Sequence, residues 1–206
     1  MPMKPLARAK ERLAEVLSSG ERRALSLAML ADVVRACTVA DVVWVLNSDA
    51  EAARVAAECG AGSRPDPTPD DGLNASLNAS TADAVAAGAE AVLIVSADLP
   101  AIAPDDVRAM MLGDGMALAP NRYGTGTNAL WRKPADLVPV FFGAQSRRAH
   151  EGMAFARGLP CAIVARPALA LDVDAPGDLN DIVALGPGEA TRAVLDELGY
   201  PRRTRR

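Results

Sequence analysis

The apolar positions along the chain alternate between two spacings. Short continuous runs rich in Val, Ile and Leu stand at Val42–Leu46, Ala91–Val95, Met116–Ala119, Ala129–Trp131 and Cys161–Ala165, and each reads as a strand. Between them lie longer stretches whose apolar residues recur three or four apart, the signature of a helix with one buried face. Glu21–Cys37 is the clearest, with Leu25, Met29, Val33 and Cys37 in line. Further helices are expected over Asp49–Cys59, Gly72–Gly88, Pro104–Leu112, Ser146–Gly158, Asp178–Leu185 and Glu189–Leu198. Asn47 and Ser48 offer cap chemistry before the second helix and Gly60 ends it. Strands alternating with helices predict an α/β fold.

One stretch breaks the pattern. Ser63–Gly72 (SRPDPTPDDG) carries three prolines and three aspartates and reads as a surface loop over the sheet edge. It is no linker, because the alternation resumes at once, and residues 1–206 are expected to form one domain. The strand run Ala91–Val95 stops at Asp98 and is closed by Pro100. A short apolar run of this kind suits a strand buried on both faces of a parallel sheet, and ligands of open α/β sheets gather at such strands' carboxyl ends. Asp98 there either holds a hard cation on a phosphate or caps the helix near Pro104. The strand alone leaves both open.

Further stretches carry candidate chemistry. The segment KPLARAKERL places Lys4, Arg8, Lys10 and Arg12 where a first strand should deliver its phosphate-binding loop, although a solvated helix face has the same composition. In Gly124-Thr-Gly-Thr-Asn128 and Phe142-Gly143-Ala144-Gln145-Ser146, small and hydroxyl residues can turn backbone N–H and side-chain donors onto an anion. Ser146 is expected to cap the next helix. In Leu171-Asp-Val-Asp174, acid and apolar residues alternate, so Asp172 and Asp174 share one side if the segment is extended. The N-terminus of the helix at Gly72-Leu73-Asn74 offers free N–H groups. The single histidine, His150, has no partner acid in sequence and reads as a packing or surface residue.

Bulk properties narrow the class. The net charge is -4, which gives no general attraction to nucleic acid, although basic residues cluster at both ends. The final PRRTRR reads as a frayed, solvated tail. Half the residues are apolar and only 3% aromatic, so the core is built from small aliphatic side chains. Cys37, Cys59 and Cys161 are far apart and odd in number, which suits a reducing compartment and neither a zinc site nor a disulfide framework. No run reaches the length of a membrane span, and a cytoplasmic protein without membrane or nucleic-acid partners is expected.

KPLARAKERL, Gly72-Leu-Asn74, Ser96-Ala-Asp-Leu-Pro100, GTGTN, FGxxS and Leu171–Leu179 (LDVDAPGDL), in this order, resemble the 2-phospho-L-lactate or phosphoenolpyruvate guanylyltransferase family of coenzyme F-420 biosynthesis. The resemblance covers nearly the whole chain. It implies a three-layer Rossmann-like nucleotidyltransferase fold of the glycosyltransferase-A type with a mostly parallel central sheet. It implies transfer of GMP from GTP to a phosphorylated three-carbon acid, phosphoenolpyruvate or 2-phospho-L-lactate, with release of pyrophosphate. Thr127, Gly143 and Ser146 match the acceptor-binding positions. Asp98 matches the metal-binding aspartate, with Asp172 and Asp174 as further acids for Mg²⁺. Lys4, Arg8, Lys10 and Arg12, with Gly72 and Asn74, are expected to hold the nucleotide, and Lys10 to act with Asp98 in catalysis. A homodimer is a possible assembly.

The chain departs from the family pattern at two places. The apolar strand that usually runs into PVKPLARAK has no counterpart ahead of Lys4, so the first strand is expected to be truncated. Glu11 stands where a small hydroxyl residue is usual. Two rival readings remain: a related nucleotidyltransferase acting on a sugar phosphate or molybdopterin-type acceptor, and a non-catalytic domain that senses nucleotide.

Overall fold

The computed structural model describes residues 1–201; the basic tail Arg202–Arg206 lies outside the described residues. Six strands, β1 (Trp44–Leu46), β2 (Gly62–Arg64), β3 (Val92–Val95), β4 (Gly115–Pro120), β5 (Thr127–Lys133) and β6 (Cys161–Ile163), are interleaved with eight helices. The helices are α1 (Ser19–Cys37), α2 (Ala50–Glu58), α3 (Leu73–Ala86), α4 (Pro104–Met110), α5 (Ser146–Ala156), α6 (Pro167–Ala170), α7 (Pro176–Leu185) and α8 (Glu189–Glu197). The basic segment folds as two 3-10 turns, Leu6–Arg8 and Glu11–Glu15.

The main sheet has the order β3-β5-β4-β6. β5 runs antiparallel to both β3 and β4, while β4 and β6 are parallel, so three of its four strands share one direction. Side chains alternate across it as a pleated strand requires. Ala117, Ala119, Ala129 and Trp131 face a layer containing Val33 of α1, Val107 of α4 and Leu169 of α6. Met116, Leu118 and Leu130 face Leu77 of α3 and Ala154 of α5 on the other side. Three layers result. On the first face the small residues of β4 and β5 lie against α4 and α6.

α1 is the most enclosed helix. Its predicted stripe is buried, with Leu25 and Val33 at 0% exposure, and Leu30 and Val34 on a second side pack on α2. Ser18 closes its start by accepting from the Glu21 N–H while Glu21 accepts from the Ser18 N–H. The cap of α2 is Asp49, which accepts from the Glu51 N–H, rather than Asn47 or Ser48; Asn47 instead accepts from the Asp49 N–H.

Two expectations are corrected here. Ser63–Gly72 is not wholly a loop: Gly62–Arg64 pairs in parallel with β1, because the extended chain leaving Ala61 finds open backbone groups there. The run Ala91–Val95 is an edge strand rather than a central one, and Val92 and Leu93 are only half-buried. Its free edge faces a groove of about 710 Å³ that separates the β1–β2 pair from the main sheet, lined by Trp44, Leu46, Leu77, Val92 and Ile94 among others. Met1–Met3 lies along β1, with one parallel bridge between Pro2 and Leu46, and is not paired with β3. The buried Met1 amine donates to the Trp44 carbonyl, and burial holds its pKa at about 6.

Candidate active site

The turn between the two 3-10 segments is built around Lys10, whose backbone is left-handed (φ 53°). A non-glycine residue in that region is uncommon and is held there by its surroundings. Its ammonium donates to Asp98 Oδ2 at 2.6 Å and to Asp174 Oδ1 at 2.9 Å. Asp98 lies just past the end of β3, as the sequence suggests. It does not cap α4: Asp106 does, accepting from the Ala103 N–H. Burial opposes the charge on Lys10, but Asp98 and Asp174 more than offset it and raise its pKa.

The segment after α6 is extended, with Leu171 and Val173 buried in the core and Asp172 and Asp174 half-buried on the opposite side. The alternation read from sequence therefore holds. Val173 donates to the Asp98 carbonyl at 3.1 Å, which stitches this segment to the loop after β3. Asp172 is pushed up, chiefly by burial and then by the charge of Asp98, against the Asn128 amide that donates to it at 3.2 Å. Burial pushes Asp174 up as well, but the charge and hydrogen bond of Lys10, then Lys4 and Arg12, bring it below the ordinary carboxylate value. Two carboxylates from separate segments, Asp98 and Asp174, thus share one ammonium, with Asp172 beside them on the Asn128 amide.

The donors are hard oxygens, which suit Mg²⁺ better than zinc. They are not a closed chelate. Among the described residues no group of three His, Cys, Asp or Glu is spaced to hold a metal. Lys10 sits between Asp98 and Asp174, so a divalent cation could join the pair only if the ammonium moved toward another anion. The mutual repulsion already felt by Asp172 is what such a cation would relieve.

The basic positions divide. Lys4 and Arg12 act electrostatically on Asp174 from the exposed rim of the cluster. Arg8 instead points to solvent, 3.8 Å from Glu11 and largely exposed. Glu11, where the family pattern has a hydroxyl residue, is occupied by that contact.

Next to the acids, Thr127 and Asn128 open β5. Ser96 donates its N–H to the Asn128 carbonyl, so these residues are fastened to the loop that carries Asp98. Asn128, read from sequence only as a polar group of the Gly-Thr stretch, also donates its side chain to the carbonyls of Leu169 and Ala170 and so aims the Asp172 segment. The Asn at the end of GTGTN was the only available signal. Asn121 closes the Gly-Thr turn by accepting from the N–H groups of Thr125 and Gly126. Arg147 at the start of α5 donates its N–H to the Thr125 carbonyl and ties that turn to the next loop.

That loop contains Gly143 and Ser146. Gly143 has φ +127°, a conformation that side-chain-bearing residues rarely adopt. Ser146 is buried but does not cap α5; the cap position is Gln145, left-handed at φ 58°, because the chain turns one residue earlier. Asn74 does not present its amide to a ligand. It accepts from the Phe142 N–H at 2.7 Å and donates to the Phe142 carbonyl at 3.0 Å, while Asn78, one helical turn on, accepts from Val140. Gly72 is exposed at the start of α3, and its carbonyl accepts from Ser76. His150 is neither a surface residue nor idle packing: it is fully buried, between Thr127 and Phe141.

The whole chain, residues 1–206, matches the family model described as guanylyl transferase, CofC like. The chain belongs to this family. A phosphoenolpyruvate guanylyltransferase of Sphaerobacter thermophilus is 38% identical to it over 205 residues, covering 97% of each chain. A 3-phospho-D-glycerate guanylyltransferase of Phenylobacterium zucineum is 40% identical over 202 residues, covering 92% of this chain and 91% of that one. Among solved structures, one assigned to the nucleotide-diphospho-sugar transferases, from Desulfovibrio desulfuricans G20, has a TM-score of 0.76 at 16% identity. It covers 96% of this chain and 91% of its own. A CMP-2-keto-3-deoxy-manno-octonic acid synthetase complexed with CTP has a TM-score of 0.51 at 15% identity, covering 76% of this chain and 86% of that one. At these identities the two structures establish the fold, the three-layer nucleotidyltransferase arrangement. The guanylyltransferase family places the chain among enzymes, and the non-catalytic reading is set aside.

Proposed function

We propose that this guanylyltransferase transfers GMP from GTP to phosphoenolpyruvate, releasing pyrophosphate, with Mg²⁺ bound at Asp98, Asp172 and Asp174. The observation that carries the reading is the convergence of those acids and Lys10 beside the Thr127–Asn128 start of β5. Had Asp98 lain apart from Asp172 and β5, no common pocket for two anionic reactants would exist.

The reaction joins two like-charged phosphates, so its main requirement is charge neutralisation and in-line alignment. The acceptor's phosphate oxygen is already ionised near neutral pH and attacks the α-phosphorus of GTP; the bond from that phosphorus to the β-phosphate bridging oxygen breaks. No strong base is needed, and His150 offers none, because its Nε2 already accepts from the Phe141 N–H. Lys10, Lys4 and Arg12 supply positive charge for the nucleotide phosphates and the departing pyrophosphate. Thr127, Ser146 and the backbone around Gly143 hold the acceptor. Mg²⁺, when bound, would add Lewis-acid stabilisation of the phosphoryl oxygens.

The named relatives divide between phosphoenolpyruvate and 3-phospho-D-glycerate, and 2-phospho-L-lactate completes the set of three-carbon acceptors. The three free thiols suit a reducing cytoplasm. The test is pyrophosphate release from GTP and Mg²⁺ with each acceptor, the adduct being identified by mass. Release with phosphoenolpyruvate and formation of its guanosyl adduct support the reading; release only with a sugar phosphate, or binding without release, overturns it.

A further inference from the structure

We propose that His150 is a positioning residue for the acceptor: it sets the Thr127 hydroxyl as a hydrogen-bond donor toward the acceptor's anionic group and ties the Phe141–Ser146 loop to β5. The inference rests on the acceptor role given above to Thr127, Gly143 and Ser146.

The hydrogen bonds fix the tautomer. The Phe141 backbone N–H can only donate, and it lies 3.0 Å from His150 Nε2, so that nitrogen is the acceptor. In a neutral ring the proton then resides on Nδ1, which lies 3.1 Å from Thr127 Oγ1. Nδ1–H donates to the hydroxyl oxygen, and the hydroxyl's own proton is released for another acceptor. At the mouth of β5 that acceptor is an incoming anion.

The ring has reason to stay neutral. It is fully buried, and burial followed by the charge of Arg132 on β5 holds its pKa at about 4. A protonated ring would have to give up its bond from Phe141, since both nitrogens would then be donors. Phe142 packs edge-on against the imidazole at 5.4 Å, and the same Phe142 is clamped at its N–H and its carbonyl by Asn74. A continuous chain therefore runs from Asn74 on α3 through Phe142, Phe141 and His150 to Thr127. The two halves of the acceptor pocket, separated in sequence, are set relative to each other by one imidazole.

Two isosteres separate the two bonds. In His150→Gln the side-chain carbonyl reaches the Nε2 position and keeps the Phe141 bond while losing the donor to Thr127. In His150→Asn the amide reaches the Nδ1 position and keeps the donor to Thr127. His150→Gln should raise KM for phosphoenolpyruvate on the order of tenfold, the usual loss when a hydrogen bond to a charged group goes, and leave KM for GTP unchanged. His150→Asn should restore most of that loss. Thr127→Val should match His150→Gln, and the double variant should be no worse than either. Because the chain has one histidine, nitrogen NMR of the untagged protein reads its ring without overlap and should show the Nδ1–H tautomer at pH 7.

An Nε2–H ring, equal rises in both KM values, or multiplicative losses in the double variant would overturn the proposal. If His150→Gln does not fold, the tautomer and His150→Asn still decide. Wild-type protein that turns over with no three-carbon acceptor overturns the functional reading and this inference together; an active wild type indifferent to His150→Gln overturns this inference alone.

Discussion

The Lys10 ammonium donates to the Asp98 carboxylate at 2.6 Å across 88 residues of sequence, and both side chains are mostly shielded from solvent. This pair brings the basic N-terminal turn to the carboxyl end of β3. Asp98→Asn keeps the shape and removes the charge, so it should lower the rate of pyrophosphate release on the order of a hundredfold, as loss of a principal electrostatic group does. Circular dichroism should remain that of the native protein. Near-normal turnover would remove Asp98 from the chemistry.

Lys10 also governs Asp174. Burial raises that carboxylate, and Lys10, with smaller contributions from Lys4 and Arg12, brings it below the ordinary value. Lys10→Met should therefore bring Asp174 above the ordinary carboxylate value, measured by carboxyl-carbon NMR titration. In the wild type the depressed Asp174 contributes stability that is present above its unfolded pKa of 3.8 and is lost as pH falls through its lower folded value. The variant should lack this contribution.

His150 gives a second acid window at higher pH. Its folded pKa is about 4 against 6.5 when unfolded. The neutral ring contributes its full stability above pH 6.5, and that contribution is lost as pH falls toward 4, roughly 3 kcal/mol in all. Arg132 on β5 is the charged group acting on the ring, while Arg147 on its own helix is bonded to Glu151. Denaturant unfolding at pH 7 and 4.5 should show this loss in the wild type and a smaller one in His150→Gln.

Asn74 lies at the start of α3 but spends its amide on Phe142. Asn74→Ala should loosen the Phe141–Ser146 loop, cost about 1–3 kcal/mol for unpaired groups, and raise KM for the acceptor rather than for GTP. A selective rise in KM for GTP would restore Asn74 to the nucleotide.

The start of α8 is held by Asp32 of α1, which accepts from the Ala190 and Thr191 N–H groups. A Cβ on Gly188 would meet Asp32 Cγ at 2.4 Å and Cβ at 2.7 Å. Gly188→Ala should push Asp32 off its two donors and lower stability by about 1–3 kcal/mol, read as a fall in Tm. Activity at low temperature should change little.

Much of this was open to inspection in the residues alone. Local rules govern helix ends and periodic faces, so the Leu25-to-Cys37 stripe and the stop at Gly60 after α2 stand where spacing put them. Asp98 at a strand end and the Leu171–Asp174 alternation carried the acid half of the site for the same reason. Strand partners are another matter. Gly62–Arg64 has no apolar signal, and it is a strand only because the edge of β1 lies beside it. Nor does anything in Ala129–Trp131 say that β5 runs against its neighbours.

The sequence by itself determined the alternating elements, the three-layer class and the family, since these follow from spacing along the chain and from motif order. Tertiary structure decided which side chains are spent on holding loops and which are left to face a ligand. Asn74, Asn121 and Asn128 have the same chemistry on paper; only folding assigns their amides to Phe142, to the Gly-Thr turn and to Asp172. The role of His150 was hidden for the same reason: its hydrogen-bond partners are 9 and 23 residues away. A hydrogen bond depends on position in space, and position in space is what a linear sequence leaves open.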